Sequence, residues 1–395
     1  MRNPFLRPLF ECAPKPLWKL AFNMGFRGWA GMREFSRRME RGGPFFPAFL
    51  MISLTDRCNY SCRGCWVSRS GRELDLAAVD SAIKSAKSMG SHFFGLLGGE
   101  PLLCPHILKI LENHPDCYFQ IFTNGSMLTP VFARELARLG NATAVISIEG
   151  LRGESARRRG SERAFDAALK AMENCRREGL FFGAASSVCR ANLAELADMA
   201  HLDFLAGRGA HYMWYYIYRP VGPDPDAGMA LEAGEVAALR KFIVDARQSA
   251  PLIVVDAYWD DMGRAICPAA SGLSHHISPG GDLEFCPPIQ FAAERMAPSS
   301  DLADLFANSE FLAGLRKLAA SDSRGCILLK NPQALLEFVK SRGASDTSGR
   351  GTAAAELGAM RPRADHDMEG SEIPERGAVY RFLKKKYFFG FGAYG

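Results

Sequence analysis

Short apolar runs recur through the middle of the chain, each followed by a stretch with helical spacing. FLMISLT (49–55) reads as a buried strand, and Leu76, Val79, Ile83 and Ala86 then repeat at the spacing of one helix face. HFFGLLG, CYFQIFT, TAVISIE, LFFGAASSV and HYMWYYIY follow as further strands. Between them lie stretches such as ERAFDAALKAMENCRREG, where Phe165, Leu169, Met172 and Cys175 share a side. Six β-then-α units, with strands apolar on both faces, predict a parallel sheet wrapped by helices. The expected fold class is α/β, a partial (β/α)6 barrel of the TIM type over residues 49–256. Alternate aromatics of YMWYYIYRP (212–220) would face into that barrel, either as core or as an apolar substrate wall.

The flanks differ from this core. Residues 1–48 mix Trp18, Leu20, Phe22, Phe26, Trp29 and Phe35 with Lys19, Arg27, Arg33, Arg37 and Arg38. That pattern fits an amphipathic helix, either packed on the enzyme body or lying in a membrane interface. Residues 257–340 form a small extension holding Cys267, a His275-His276 pair, Gly280-Gly281, Cys286 and Cys326. Residues 341–378 are short of large apolar side chains and read as a disordered or loosely held linker. Residues 379–395 form a basic, aromatic tail.

Charge and cysteine usage narrow the classes. The 395 residues carry a net +5, too mild for a nucleic-acid binder, and residues 1–42 hold nine Lys/Arg against three Asp/Glu. No signal-peptide pattern is read at the start of the chain, and no apolar run is long enough to span a membrane. Eleven cysteines, unevenly clustered, favour metal binding in a reducing compartment over paired bridges. The expected location is cytoplasmic, with peripheral contact to the inner face of the membrane as an extension of the N-terminal pattern.

Ligand sites in barrels of this kind gather on the loops at the carboxyl ends of the strands. CNYSCRGC (58–65) follows the first strand, GGEP (98–101) the second, TNG (123–125) the third and SIEG (147–150) the fourth. Cys58, Cys62 and Cys65 are one thiolate short of the four that close a structural zinc or ferredoxin-type site. An iron-sulfur cluster held by these three would leave one iron open to a small molecule offering an amine and a carboxylate. Gly98 and Gly99 would let the backbone approach that molecule, and Glu100 would accept a hydrogen bond from its ammonium group. Zinc with a recruited histidine, and GGEP as an ordinary turn, are the competing readings.

CxxxCxxC after the first strand, GGEP after the second and SIEG after the fourth together resemble the radical S-adenosylmethionine (radical SAM) superfamily. The resemblance implies a [4Fe-4S] cluster on Cys58, Cys62 and Cys65 whose open iron binds the methionine end of SAM. It implies reductive cleavage of SAM to a 5′-deoxyadenosyl radical, which abstracts hydrogen from an unactivated C–H bond. Gly98, Gly99 and Glu100 would meet the methionine amine, with Ser147 and Glu149 as ribose and carboxylate contacts. One departure is Gly64, where the family often carries an aromatic residue before the third cysteine; Trp66 lies just beyond.

The extension resembles the opening of SPASM or Twitch modules, with ISPGGDLEFCP as their hairpin. It implies an auxiliary cluster on Cys267, Cys286 and Cys326, with His275, His276 or Cys12 as a fourth ligand or with one iron open. A degenerate, metal-free extension is the alternative. Cys104, Cys117, Cys175 and Cys189 read as core residues. The expected substrate is a peptide or a lipid-like molecule, the electron source a reductant such as flavodoxin or ferredoxin. A non-catalytic iron-sulfur or zinc protein, for electron transfer or as a scaffold, is the competing function.

Overall fold

A computed structural model describes residues 3–297 and 300–387. Six parallel strands lie where the apolar runs predict them: β1 (Phe49–Thr55), β2 (Phe93–Gly98), β3 (Tyr118–Thr123), β4 (Ala142–Ser147), β5 (Phe182–Val188) and β6 (Tyr212–Ile217). All seven residues of β1 are buried, as expected for a strand covered on both faces. Helices start and stop where local chemistry dictates. Asp75 accepts a hydrogen bond from the Ala78 amide at the start of the helix Leu76–Ser88, and left-handed Gly140 ends the helix Pro130–Leu139.

The sheet is wider than six strands. β7 (Ile253–Val255) joins β6 in parallel, and β8 (Ser274–Ile277) pairs in parallel with β1 at the other side. β9 (Leu283–Glu284) returns antiparallel on β8, giving the order β7-β6-β5-β4-β3-β2-β1-β8-β9. The expected hairpin is thus present, with Gly281 at a positive φ of 84° in its turn. The boundary at residue 257 is not a break in the sheet, because the extension continues it.

The N-terminal segment runs under the amino ends of the strands. Arg7 donates to the Ala210 carbonyl just before β6, the Ala13 amide to Gly179 before β5, Asn23 to Cys117 before β3, and Arg38 to Met89 before β2. It is helical, with a π-helical turn at Leu20–Arg27 leading into the helix Gly28–Glu40.

The expected linker is instead packed structure. β10 (Phe291–Ala292) pairs with β11 (Ser345–Asp346), and a helix covers Ala353–Ala359. The segment is held by polar anchors: Thr347 donates to Glu284, Arg350 to Gln290 and Glu356, and Asp365 accepts from Ser323 and the Cys326 amide. Glu375 lies fully buried against Arg240 at 2.8 Å, within a cluster that also contains Arg247, Asp256 and Lys384. Of the tail, Ala378–Tyr387 forms a helix, and residues 388–395 lie outside the described residues.

Candidate active site

The six strands β1 to β6 all contribute, from the strand or the loop after it, to a cavity of about 680 Å³. Cys58, Cys62, Cys65, Gly98, Gly99, Ser147 and Glu149 line it, so the structure brings together seven of the eight residues expected at the main site. Each cysteine is partly exposed. Burial raises the Cys58 thiol, partly offset by the Tyr60 amide 3.5 Å from its sulfur. Burial and the neighbouring Cys62 and Cys58 push Cys65 up to about 11.

Glu100 is the exception. It is fully buried beneath the cavity: Oε1 accepts from Thr123 Oγ1 at 2.7 Å and from the Leu102 amide at 3.1 Å, and Oε2 from the Asn124 amide at 2.7 Å. Burial raises its pKa, and these donors work against that rise. Three of its roughly four lone-pair sites are thus taken by its own chain. Asn124 passes the connection on, donating to Asn59 in the cysteine loop at 2.9 Å, and Asn59 donates to Ser126 at 2.7 Å. The carboxylate therefore ties the GGEP, TNG and cysteine loops together.

The glycine pair also has a different reason from the expected one. A Cβ on Gly98 would lie 2.1 Å from the Thr55 carbonyl, and one on Gly99 2.3 Å from that of Arg57. The glycines admit the backbone leaving β1, and the Gly99 and Glu100 amides bond to Thr55 and Arg57, each at 2.8 Å. Gly64 is explained in the same way. At φ 69° its absent side chain leaves room for Tyr218, whose hydroxyl would stand 2.5 Å from a Cβ there. Tyr218, the residue after β6, packs against the backbone at position 64.

Arg159 escaped the sequence reading because RRRG at a helix end looks like solvated charge. It donates to Glu149 Oε1 at 2.6 Å and points Nη1 at Cys62 Sγ, 3.7 Å away. Burial works to lower its pKa, but Glu149, Cys62 and Cys65 outweigh that and raise it. It places a fixed positive charge beside the thiols. Glu149 also accepts from the Ser187 amide at 3.0 Å. Gly349 and Arg350 complete the wall, again against the linker expectation. On β6, Tyr212 and Trp214 are core, whereas Tyr216 lines the cavity with a buried hydroxyl that makes no hydrogen bond among the described residues.

The second triad also converges. Arg219 Nε donates to Cys326 Sγ at 3.2 Å, and Cys286 responds to both Cys267 and Cys326. Backbone amides of Ala270 and Ala269 face Cys267, and that of Ile289 faces Cys286. The suggested fourth ligands do not join them. His275 is engaged by the Phe285 carbonyl and Arg316, His276 by Ser53 and Glu284, and Cys12 lies near His211 under the amino ends of the strands.

Sulfur spacing tests the metal. Three thiolates on one zinc at about 2.3 Å would stand about 3.8 Å apart. Among the described residues, neither triad has all its sulfurs within 4.8 Å of one another. Neither triad is thus shaped for a single zinc, and three thiols on one cavity are the donor type of an iron-sulfur cluster. The one tight donor group among the described residues, His92, Asp116 and Cys117, has Lys87 and Arg27 already paired with its carboxylate at 3.1 and 3.4 Å.

Comparison with known proteins agrees with this chemistry. Residues 52–200 match the model of the radical SAM superfamily. The stretch that carries the three cysteines, GGEP and SIEG is of that superfamily. This radical SAM chain is 27% identical over 150 residues to the Fe-coproporphyrin III synthase of Methanosarcina barkeri, covering 36% of this chain and 38% of that one. It spans only about half (54%) of the AdoMet-dependent heme synthase of the same organism, at 28% identity over 46% of its own length. The mycofactocin maturase MftC of Mycobacterium tuberculosis is 26% identical over 317 residues, 74% of this chain and 78% of that protein. Among solved structures, Streptococcus suis SuiB bound to the precursor peptide SuiA superposes with a TM-score of 0.60 at 17% identity, covering 72% and 70% of the two chains. That likeness bears out the partial-barrel fold. A [4Fe-4S] cluster and SAM come with membership of the superfamily.

Proposed function

We propose that this radical SAM enzyme acts on a peptide, abstracting hydrogen from an unactivated C–H bond. Cys58, Cys62 and Cys65 would hold the cluster, and its fourth iron would take the amine and carboxylate of SAM. When bound, cluster and SAM supply the radical, given an electron from a donor such as flavodoxin or ferredoxin. The chain's own residues prepare the place. Glu100, Asn124 and Asn59 hold the cysteine loop in shape, Arg159 offsets thiolate charge and orients Glu149, and Ser147 and Glu149 offer polar contacts to the sugar and methionine ends.

The observation that carries the reading is the set of three thiols, without a fourth, at the mouth of a cavity lined by Gly98 and Gly99. A non-catalytic iron-sulfur or zinc protein has no use for so large a cavity. The peptide assignment is supported by the likeness to SuiB and by a second, apolar groove beyond Arg350. That groove, about 240 Å³, is lined by Val221, Phe291, Leu328 and Leu357 and shares Arg350 with the main cavity, which suits an extended substrate. The lipid-like alternative rests on the Cys-x-Gly-Cys loop, on the tail, whose residues 388–395 lie outside the described residues, and on the basic aromatic N-terminal segment, which lies at the other end of the strands from the cavity. We also assign an auxiliary cluster to Cys267, Cys286 and Cys326.

Anaerobic reconstitution, strong reductant and SAM should give 5′-deoxyadenosine, and Cys62→Ala should not. A protein with full iron content that leaves SAM intact would defeat the enzymatic reading. Replacing Cys58, Cys62 and Cys65 together by Ala should leave residual iron and sulfide; none would mean that the second triad is metal-free. A peptide fraction, rather than a lipid extract, should raise 5′-deoxyadenosine formation.

A further inference from the structure

The N-terminal segment carries a feature that the reaction does not use. Trp18, Phe22, Phe26 and Trp29 form one ladder along its outer side, with ring centroids 5.5, 5.7 and 6.4 Å apart in succession. Trp18 is 63% exposed and Phe26 57%. The spacing of four, four and three residues places these rings on one side of the helical run. Arg27 lies over the Phe22 ring at 5.2 Å and Arg33 over Trp29 at 4.7 Å, and Arg37, one turn on, is exposed.

Exposed apolar groups are not scattered evenly over this protein. Of the twelve large apolar side chains exposed among the described residues, six fall in residues 3–40 and two more, Val379 and Phe382, on the last helix. Those two helical regions meet through Phe5 and Tyr380, whose rings are 5.4 Å apart. A concentrated apolar patch of this kind marks a docking surface. Charge selects the occupant. Residues 1–42 hold nine Lys/Arg against three Asp/Glu, while the whole chain is only +5, so the excess positive charge sits where the aromatics are. Two copies of such a face would repel each other. Aromatic rings interleaved with arginines on one side of a helix match the boundary between anionic headgroups and acyl chains.

We propose that this face binds an anionic lipid bilayer, holding the enzyme with its reaction cavity turned away from the membrane. The orientation follows from the fold. The ladder lies under the amino ends of the strands and the cysteines lie beyond their carboxyl ends, separated by about 20 Å, the length of a seven-residue strand. No helix among the described residues is long and apolar enough to cross a membrane, so the contact is interfacial. The membrane would thus locate the enzyme without delivering its substrate.

The test is co-sedimentation of the full, reconstituted chain with vesicles of phosphatidylcholine alone or mixed with phosphatidylglycerol, at low and high salt. Binding should require phosphatidylglycerol and weaken with salt. Trp18→Ser with Phe26→Ser should abolish it. Arg33→Gln with Arg37→Gln should weaken it about 30-fold, from about 1 kcal/mol per cation at such a surface. All of these side chains are exposed or lie far from the cavity, so SAM cleavage should stay at the parent rate, which confirms folding. Absence of binding, binding independent of anionic lipid, or binding unchanged by both variants would overturn the proposal. So would a concentration-dependent dimer that the ladder variant dissociates without any vesicle binding, which would make the face an interface between copies.

Discussion

Glu100→Gln distinguishes a carboxylate that braces loops from one that receives SAM. The Gln amide oxygen can replace Oε1 and keep the Thr123 and Leu102 donors, but its NH₂ then faces the Asn124 amide that Oε2 accepted at 2.7 Å. A charge-assisted bond is lost and a buried N–H is left facing another donor, each costing about 1–3 kcal/mol. Relief from burying a carboxylate, whose pKa burial raises, returns part of this. A net loss of about 2 kcal/mol is expected. With about 2.1 cal/mol/K of unfolding entropy per residue, this 395-residue chain should lose about 2–3 °C of melting temperature. The assay is thermal unfolding of the protein without cluster or SAM, with calorimetric SAM binding to the reconstituted protein alongside. An unchanged melting temperature together with lost SAM affinity would refute the bracing role and restore the ammonium contact.

Gly64→Ala should lower both stability and iron content, because its backbone φ is 69° and its Cβ would strike Tyr218; Tyr218→Ala in the same chain should recover part of the iron. A neutral Gly64→Ala would show that Tyr218 does not fill that space. Tyr216→Phe removes a buried hydroxyl with no partner, so stability should hold or rise by up to about 1 kcal/mol. Turnover should fall about tenfold if a ligand satisfies that hydroxyl, from about 1.4 kcal/mol for one hydrogen bond, and steady-state 5′-deoxyadenosine formation reads the change. Burial holds His201 and His211 at about 4 and His275 at about 3, below the ordinary 6.5. Below pH 6.5 the unfolded chain takes protons that the folded one refuses. Stability should therefore fall from pH 6.5 toward 4, by up to about 3 kcal/mol per histidine. Denaturant unfolding across that range would contradict this if the midpoint stayed level, and His201→Phe should reduce the slope.

Six strands were legible because parallel strands covered on both faces leave long apolar runs, and the motif positions followed from their ends. β7 and β8 were not. Three residues of IVV carry too little pattern, and SHHI looks polar until His275 and His276 find Phe285, Arg316, Ser53 and Glu284, partners distant in sequence or on a later turn. The segment 341–378 misled for a related reason. Composition weighs apolar side chains, whereas this stretch is held by Thr347, Arg350, Asp365 and Glu375, whose worth depends on partners elsewhere. At the site, the cysteines and glycines were legible by type. What Glu100 does was not, since Thr123 and Asn124 come from another strand's loop, and nothing in RRRG distinguishes Arg159 from its neighbours.

The cavity wall is therefore assembled from segments far apart in the chain. Asp56, just past β1, accepts from the Gly71 amide at 2.8 Å, folding the cysteine loop back on itself; Arg72 then donates to the Thr347 carbonyl at 2.8 Å, and Arg350 reaches Ser68. A three-cysteine loop has no closing fourth ligand to define its shape, so protein bonds must do so before the cluster arrives. That requirement accounts for polar anchors, rather than apolar packing, in the segment between residues 345 and 350. A cavity that must admit SAM and substrate cannot be sealed by a dry core, and these polar anchors hold its rim while leaving the interior open.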